Sequence, residues 1–180
     1  MRPGKNDHVL AVLEGAADRA HLEPFTKARV TPRSKARISA AFNHCREAAL
    51  DLERFFAHAA ADARDRGLHR RLYEAAESAS ELAGALEDAL RSIDAFVETS
   101  GTARGALRRV ALETRVAVRG RTDALVLREI DDAMLRAIAV YDRALAHLGR
   151  VPPGFVDLVL AQRTRLAHLH RDLARPSAPS

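Results

Sequence analysis

The sequence offers eight histidines and 24 acidic side chains as ligands for a metal ion. A di-iron carboxylate site in a helical bundle takes a Glu from each of two helices and a Glu-x-x-His pair from each of the other two. The three-residue spacing places both ligands of a pair on one face of a helix. None of the eight histidines has a glutamate three residues before it. The sequence therefore predicts no di-iron oxidase site.

A remnant or different metal site has three candidate ligands, Glu53, Glu129 and His170, which flank the apolar faces of separate predicted helices. The interpretation that we favour is that these side chains hydrogen-bond across the bundle or face water. His168 and His170 are two residues apart, so a helix points them in different directions and they are not a natural chelating pair. We assign no catalytic, cofactor-binding or metal-binding residue and expect no cofactor.

Nucleophilic catalysis has no matching pattern in this chain. Cys45 is the only cysteine, and it falls in an apolar helical stripe, where a thiol is usually a small buried hydrophobe. Gly-x-Ser-x-Gly, Walker and Gly-x-Gly-x-x-Gly motifs are absent. We therefore do not expect an enzyme. One cysteine allows no intramolecular disulfide, and no signal peptide or long apolar run is present, which together predict a cytoplasmic protein without a membrane span.

Apolar residues recur at alternating steps of four and three along four segments, which is typical of long helices in a bundle. Thr31-Pro32 is a predicted helix start, a cap residue followed by proline, and Gly67 is predicted to end that first helix. The first stripe consists of Ile38, Phe42, Cys45, Ala49, Leu52, Phe56, Ala59 and Ala63. The predicted helices cover residues 31–66, 68–99, 122–149 and 152–175.

The connections between these helices predict their topology. Helices one and two, and helices three and four, are joined by tight turns and should be antiparallel neighbours. A long connection with a helical crossover over residues 102–119 separates helices two and three, which permits those two to run parallel. We divide the chain into an N-terminal extension with a short helix (1–30), a four-helix bundle (31–175) and a disordered tail (176–180).

Residues 100–109, Ser-Gly-Thr-Ala-Arg-Gly-Ala-Leu-Arg-Arg, resemble the crossover of a bacterial ferritin-like family of unknown function, which has Ser-Gly-Ser followed by Gly-x-Leu-His-Arg. Glu129 and Tyr141 fall at family-like positions, and Gln162 and His170 keep the family's eight-residue separation. The resemblance covers about residues 36–175. It implies an all-α, ferritin-like four-helix bundle with a helical crossover.

Two departures from that family concern its polar positions. Arg108 stands where the family usually has a crossover histidine, and Met134 stands where it usually has an acid in the third helix. The resemblance therefore implies a degenerate metal site. Gln162 lies within the last apolar stripe and needs a hydrogen-bond partner, for which Tyr141 and Glu129 are the candidates.

The net charge of +5 comes almost entirely from arginine. No aromatic residue interleaves with the most basic stretch, so it does not favour stacking on nucleic-acid bases, and a solvated face is the preferred interpretation. Phe55, Val126 and Val140 lie outside the stripes and are predicted either to mark a second interface or to pack under other segments. The basic stretch contains Arg104, Arg108, Arg109, Arg115, Arg119 and Arg121.

From these patterns we expect a non-catalytic bundle that acts as a scaffold or stress-associated interaction protein, with a second copy or another protein as its partner. The first alternative is a metal-binding ferritin-like protein with an altered site. The second is a protein that binds anions or nucleic acid through an arginine-rich face.

Overall fold

The computed structural model describes residues 30–98 and 123–175, which form four α-helices and no strand. The helices are α1 (Pro32–Asp62), α2 (Arg66–Ser92), α3 (Asp123–Leu148) and α4 (Pro153–Ala174). The predicted all-α architecture is confirmed at this level. The N-terminal extension up to residue 29, the crossover over 102–119 and the tail over 176–180 lie outside the described residues.

The turn between α1 and α2 differs from the prediction. Thr31 caps α1 as predicted, since the Ser34 backbone N–H donates to its Oγ1 at 3.2 Å. Gly67 does not end α1, however, because it lies within the first turn of α2. Asp65 is the N-cap of α2, and its Oδ1 accepts from the Leu68 backbone N–H at 2.6 Å. The first helix already ends at Asp62, and the Asp65 carboxylate caps the second helix, so Gly67 has no part in ending α1.

The end of α2 is also earlier than residue 99, because a side chain of α1 binds the chain beyond it. Asn43 Nδ2 donates to the Phe96 carbonyl at 3.0 Å, and the Glu98 N–H donates to Asn43 Oδ1 at 3.1 Å. Asp94 turns the chain with a φ of 51°. Residues 95–98 are consequently non-helical and lie along α1.

Contacts between the helices establish their directions. The beginning of α1 and the end of α3 line one groove, and Asp131 of α3 meets His170 near the end of α4. Arg71, near the start of α2, donates a hydrogen bond to the Asp172 carbonyl near the end of α4. Each neighbouring pair, including α1 with α2, is therefore antiparallel, and α2 and α3 run in the same direction. The end of α2 and the beginning of α3 lie at opposite ends of the bundle.

The core follows the apolar stripes, with several departures. Seven of the eight stripe residues of α1 are buried, from Ile38 to Ala59. In α3 the apolar stripe of the sequence contains Leu127, which was therefore predicted to be buried but is only half-buried. Val126, which we expected outside the stripe, is 2 % exposed. Phe42 and Phe155 join α1 to α4 through rings 5.8 Å apart. Each fully buried side chain of this size contributes about 1.5–3 kcal/mol by leaving water.

Within residues 30–98 and 123–175, no helix is long and apolar enough to cross a bilayer.

Candidate functional site

The three residues considered for an altered metal site lie on three different helices. Glu53 of α1 and Glu129 of α3 are half-buried. His170 of α4 is also half-buried, and its Nε2 lies 2.6 Å from Asp131 Oδ1 of α3. Among the described residues, no group of three or more His, Cys, Asp or Glu side chains is arranged to hold a metal ion. The His170–Asp131 pair is therefore a two-residue contact between α3 and α4.

The bundle interior contains a continuous polar contact across three helices. Tyr141 of α3 donates its hydroxyl hydrogen to Gln162 Oε1 at 3.0 Å. The Gln162 amide Nε2 donates in turn to the Leu82 carbonyl of α2 at 3.1 Å. The predicted partnership of Gln162 with Tyr141 is confirmed. Because both side chains are buried, each would carry an unpaired polar group without the other.

Cys45 lies in the same buried region and is a free thiol. Burial raises its pKa from 9.0 to about 12. Burial also raises the pKa of the Tyr141 hydroxyl well above its ordinary value, with a smaller contribution from the charge of Cys45. Both groups stay protonated at neutral pH, which disfavours the thiolate form that nucleophilic attack requires.

Ion pairs connect several helices at the surface. Arg46 of α1 lies 3.0 Å from Glu87 of α2 and also donates to the Glu98 carbonyl at 3.1 Å. Arg163 of α4 pairs with Asp142 of α3 at 3.0 Å, and this contact raises the pKa of the guanidinium. The Arg163–Asp142 pair is exposed and contributes little to stability, whereas the Arg46 and Glu87 side chains are only 16 % and 25 % exposed.

A different group of arginines lies in a groove between the first half of α1 and the last half of α3. Its lining includes small side chains, among them exposed Ala40, half-buried Ala48 and buried Ala144. Within the described part of the chain, its four arginines make no ion pair with an acidic side chain, in contrast to those above. We call this surface the basic groove, with the arginines Arg33, Arg37, Arg143 and Arg150, the histidines His44 and His147, and the acids Glu47, Asp51 and Glu98.

Sequence reasoning did not identify this groove, although part of its signal was present. Arg33 and Arg37 are four residues apart on one helical face, and so are Arg143 and His147. What joins the two faces is the antiparallel packing of α1 on α3, which no local pattern specifies. The arginine-rich stretch that the sequence did single out, over residues 104–121, lies outside the described residues. Asn43 was also missed, since nothing local distinguishes it from a surface asparagine.

Comparison with known protein families gives one match. Residues 37–147 match DUF2383, a domain of unknown function. The chain belongs to this family. The DUF2383 match includes Arg37, Cys45 and Tyr141, but it stops before α4 and thus before Gln162 and His170. It is shorter than the predicted resemblance, which extended to about residue 175.

No curated protein and no solved structure matches the chain. The DUF2383 region supplies α1, α2 and α3, and most of the basic groove, whereas the polar contact in the bundle interior needs α4 as well.

Proposed function

We propose that this protein is a non-catalytic, ferritin-like helical bundle that acts through its surface, as a scaffold or a stress-associated interaction protein. The supporting observation is that its buried polar side chains hydrogen-bond to other parts of the bundle. Tyr141 and Gln162 bond to each other and to the α2 backbone, and Asn43 bonds to the chain after α2. These groups are engaged in holding helices together, and the charges available for contact lie on the surface.

The ferritin-like part of the proposal rests on helix direction. Parallel α2 and α3, joined by a long connection and flanked by two tight hairpins, is the single-crossover connectivity of ferritin-like bundles. A bacterial origin follows from the resemblance in the crossover. A cytoplasmic location is supported by the single, buried cysteine.

The competing function is metal binding at an altered site, which the close His170–Asp131 contact would favour with Glu129 nearby in sequence. Metal analysis of the full chain purified without chelators separates the two functions. We expect no stoichiometric iron, zinc or manganese. Stoichiometric metal that is lost in both Glu129→Ala and His170→Ala, with the fold retained by circular dichroism, would overturn the non-catalytic scaffold.

The second competing function is binding of nucleic acid through arginine-rich surface. Phosphate contacts release counterions, so such binding weakens steeply with salt. Retention of the full chain on immobilised DNA or RNA at low salt, released as salt rises, is the result that this function requires. We expect no retention of this kind.

A further inference from the structure

The basic groove has the size of a peptide site. Its volume is about 1690 Å³, whereas pockets for small molecules usually enclose about 300–1,000 Å³. It follows α1 from Thr31 to Asp51, a helical length of about 30 Å at 1.5 Å per residue. Alanines in its lining allow a second helix to approach closely. A helix lying along α1 and α3 would fit such a surface better than a compact ligand.

The positive charge at one end of the groove favours an acidic occupant. Arg33 and Arg37 lie at the end of the groove where α1 begins, and Arg143 and Arg150 lie at the same end because α3 is antiparallel to α1. The three acids of the groove, Glu47, Asp51 and Glu98, lie farther along, since the backbone of residue 98 bonds Asn43 and Arg46. The end next to Thr31 is thus strongly positive, and four guanidinium groups placed together gain free energy when carboxylates approach.

Two long segments of the chain lie outside the described residues before α4, residues 99–122 with a net charge of +5 and residues 1–29 with a net charge of +1, and the latter contain an acidic stretch. Residues 99–122 contain six arginines and one glutamate, a net charge of +5. Residues 7–23 contain Asp7, Glu14, Asp18 and Glu23 with Arg19 as the only base other than histidine, a net charge of −3. The groove would repel residues 99–122 and attract the acidic stretch of residues 7–23.

The sequence of residues 7–23 has the pattern that such a groove requires. Leu10, Leu13, Ala17 and Ala20 recur at steps of three and four, and Glu14 and Asp18 are four residues apart beside them. As a helix this segment would be about 25 Å long. Seven residues, 24–30, join it to α1, and such a linker reaches up to about 25 Å, enough for the segment to fold back along α1.

We infer that the acidic segment of residues 7–23 docks in the basic groove of its own chain, with its carboxylates facing Arg33, Arg37, Arg143 and Arg150. Folded back from Thr31, the segment runs antiparallel to α1. Glu23, Asp18 and Glu14 then lie at the basic end and Asp7 lies toward the far end. The inference is independent of the proposed function, which does not require any particular surface to be covered.

The test measures by NMR how far a spin label on the full chain broadens the signals of nearby backbone amides. A spin label is attached at Ala16→Cys, and native Cys45 remains unlabelled because it is buried and protonated. We expect broadening of the backbone amides of Ala40 and Ala48 in the groove, and sharp signals from exposed Ser80 of α2. The broadening should be lost in the double variant Arg37→Glu/Arg143→Glu.

Two matched variants complete this test. Arg54→Glu/Arg136→Glu makes the same charge change on the same two helices away from the groove, at exposed arginines, and should keep the broadening. Adding Glu14→Lys/Asp18→Lys to the groove variant exchanges the charges and should restore it. All of the altered side chains are on the surface or in residues 7–23, so circular dichroism should show an unchanged bundle.

Several results would overturn the inference. They are broadening on another face, no broadening at all, and groove broadening that the charge reversals do not change. Mixing spin-labelled chain with isotope-labelled chain that carries no spin label distinguishes a second copy, because broadening in that mixture would show that the occupant comes from another molecule.

Discussion

The buried contact between Tyr141 and Gln162 allows a quantitative test of how α3 and α4 are held together. Tyr141→Phe leaves the Gln162 oxygen without its donor, and Gln162→Leu leaves the Tyr141 hydroxyl without its acceptor. A buried polar group that loses its partner costs about 1–3 kcal/mol, so each single variant should lose about 2 kcal/mol. In a chain of this size, that lowers Tm by about 6 °C, at about 3 °C per kcal/mol.

The double variant Tyr141→Phe/Gln162→Leu removes both polar groups and should behave differently. Replacing both partners by apolar groups of similar shape is nearly neutral, so we expect a loss of about 1 kcal/mol or less. The two single effects then overlap by about 3 kcal/mol, the upper end of couplings between contacting residues. Urea denaturation followed by circular dichroism measures the free energies of unfolding.

The control for this cycle pairs Tyr141→Phe with Asp65→Ala at the α1–α2 turn. These sites share no contact, so their effects should add. If the Tyr141 and Gln162 effects also added, the two side chains would not be coupled, and the polar contact described here would be refuted.

Three further outcomes are expected. Since burial raises the pKa of Cys45 to about 12 from 9.0, the folded state favours the protonated thiol, and the free energy of unfolding should fall as pH rises from about 9 toward 12. Cys45→Ala should reduce that slope, measured as urea midpoints across this range, and an unchanged slope would contradict it. Asn43→Ala should speed hydrogen exchange of the Glu98 amide and cost about 1–2 kcal/mol, whereas equal exchange rates would mean that Asn43 does not hold residues 95–98. Asp65→Ala should cost about 1 kcal/mol through the lost cap of α2, measured by thermal unfolding, and a loss below that of the exposed cap variant Thr31→Ala would count against its role.

The helices were predictable where the signal is local. Thr31 before Pro32 starts α1, since capping acts within one turn. The stripe of α1 predicted its buried face because a helix presents residues three and four apart to the same neighbour. Val126 and Leu127 were interchanged because both are apolar and adjacent, and which one faces inward depends on how α3 packs against its neighbours.

Errors arose where a distant residue intervened. Ile93 and Val97 continue the apolar pattern of α2, yet the helix ends at Ser92 because Asn43, far away in sequence, binds the backbone beyond it. The need of Gln162 for a partner was predictable, and so was Tyr141 as a candidate, but the contribution of the Leu82 carbonyl was not, because a backbone group carries no sequence signature.

The sequence by itself therefore determined the helical class, the buried face of α1 and the burial of Cys45, since each depends on residue type and short spacing. Only the tertiary structure decided that α2 and α3 run parallel, that Gln162 bonds the α2 backbone, and that α1 and α3 form the basic groove. Those features depend on which surfaces of the helices meet. That arrangement depends on the total apolar surface that the helices bury against one another, and no single segment of the sequence specifies this total.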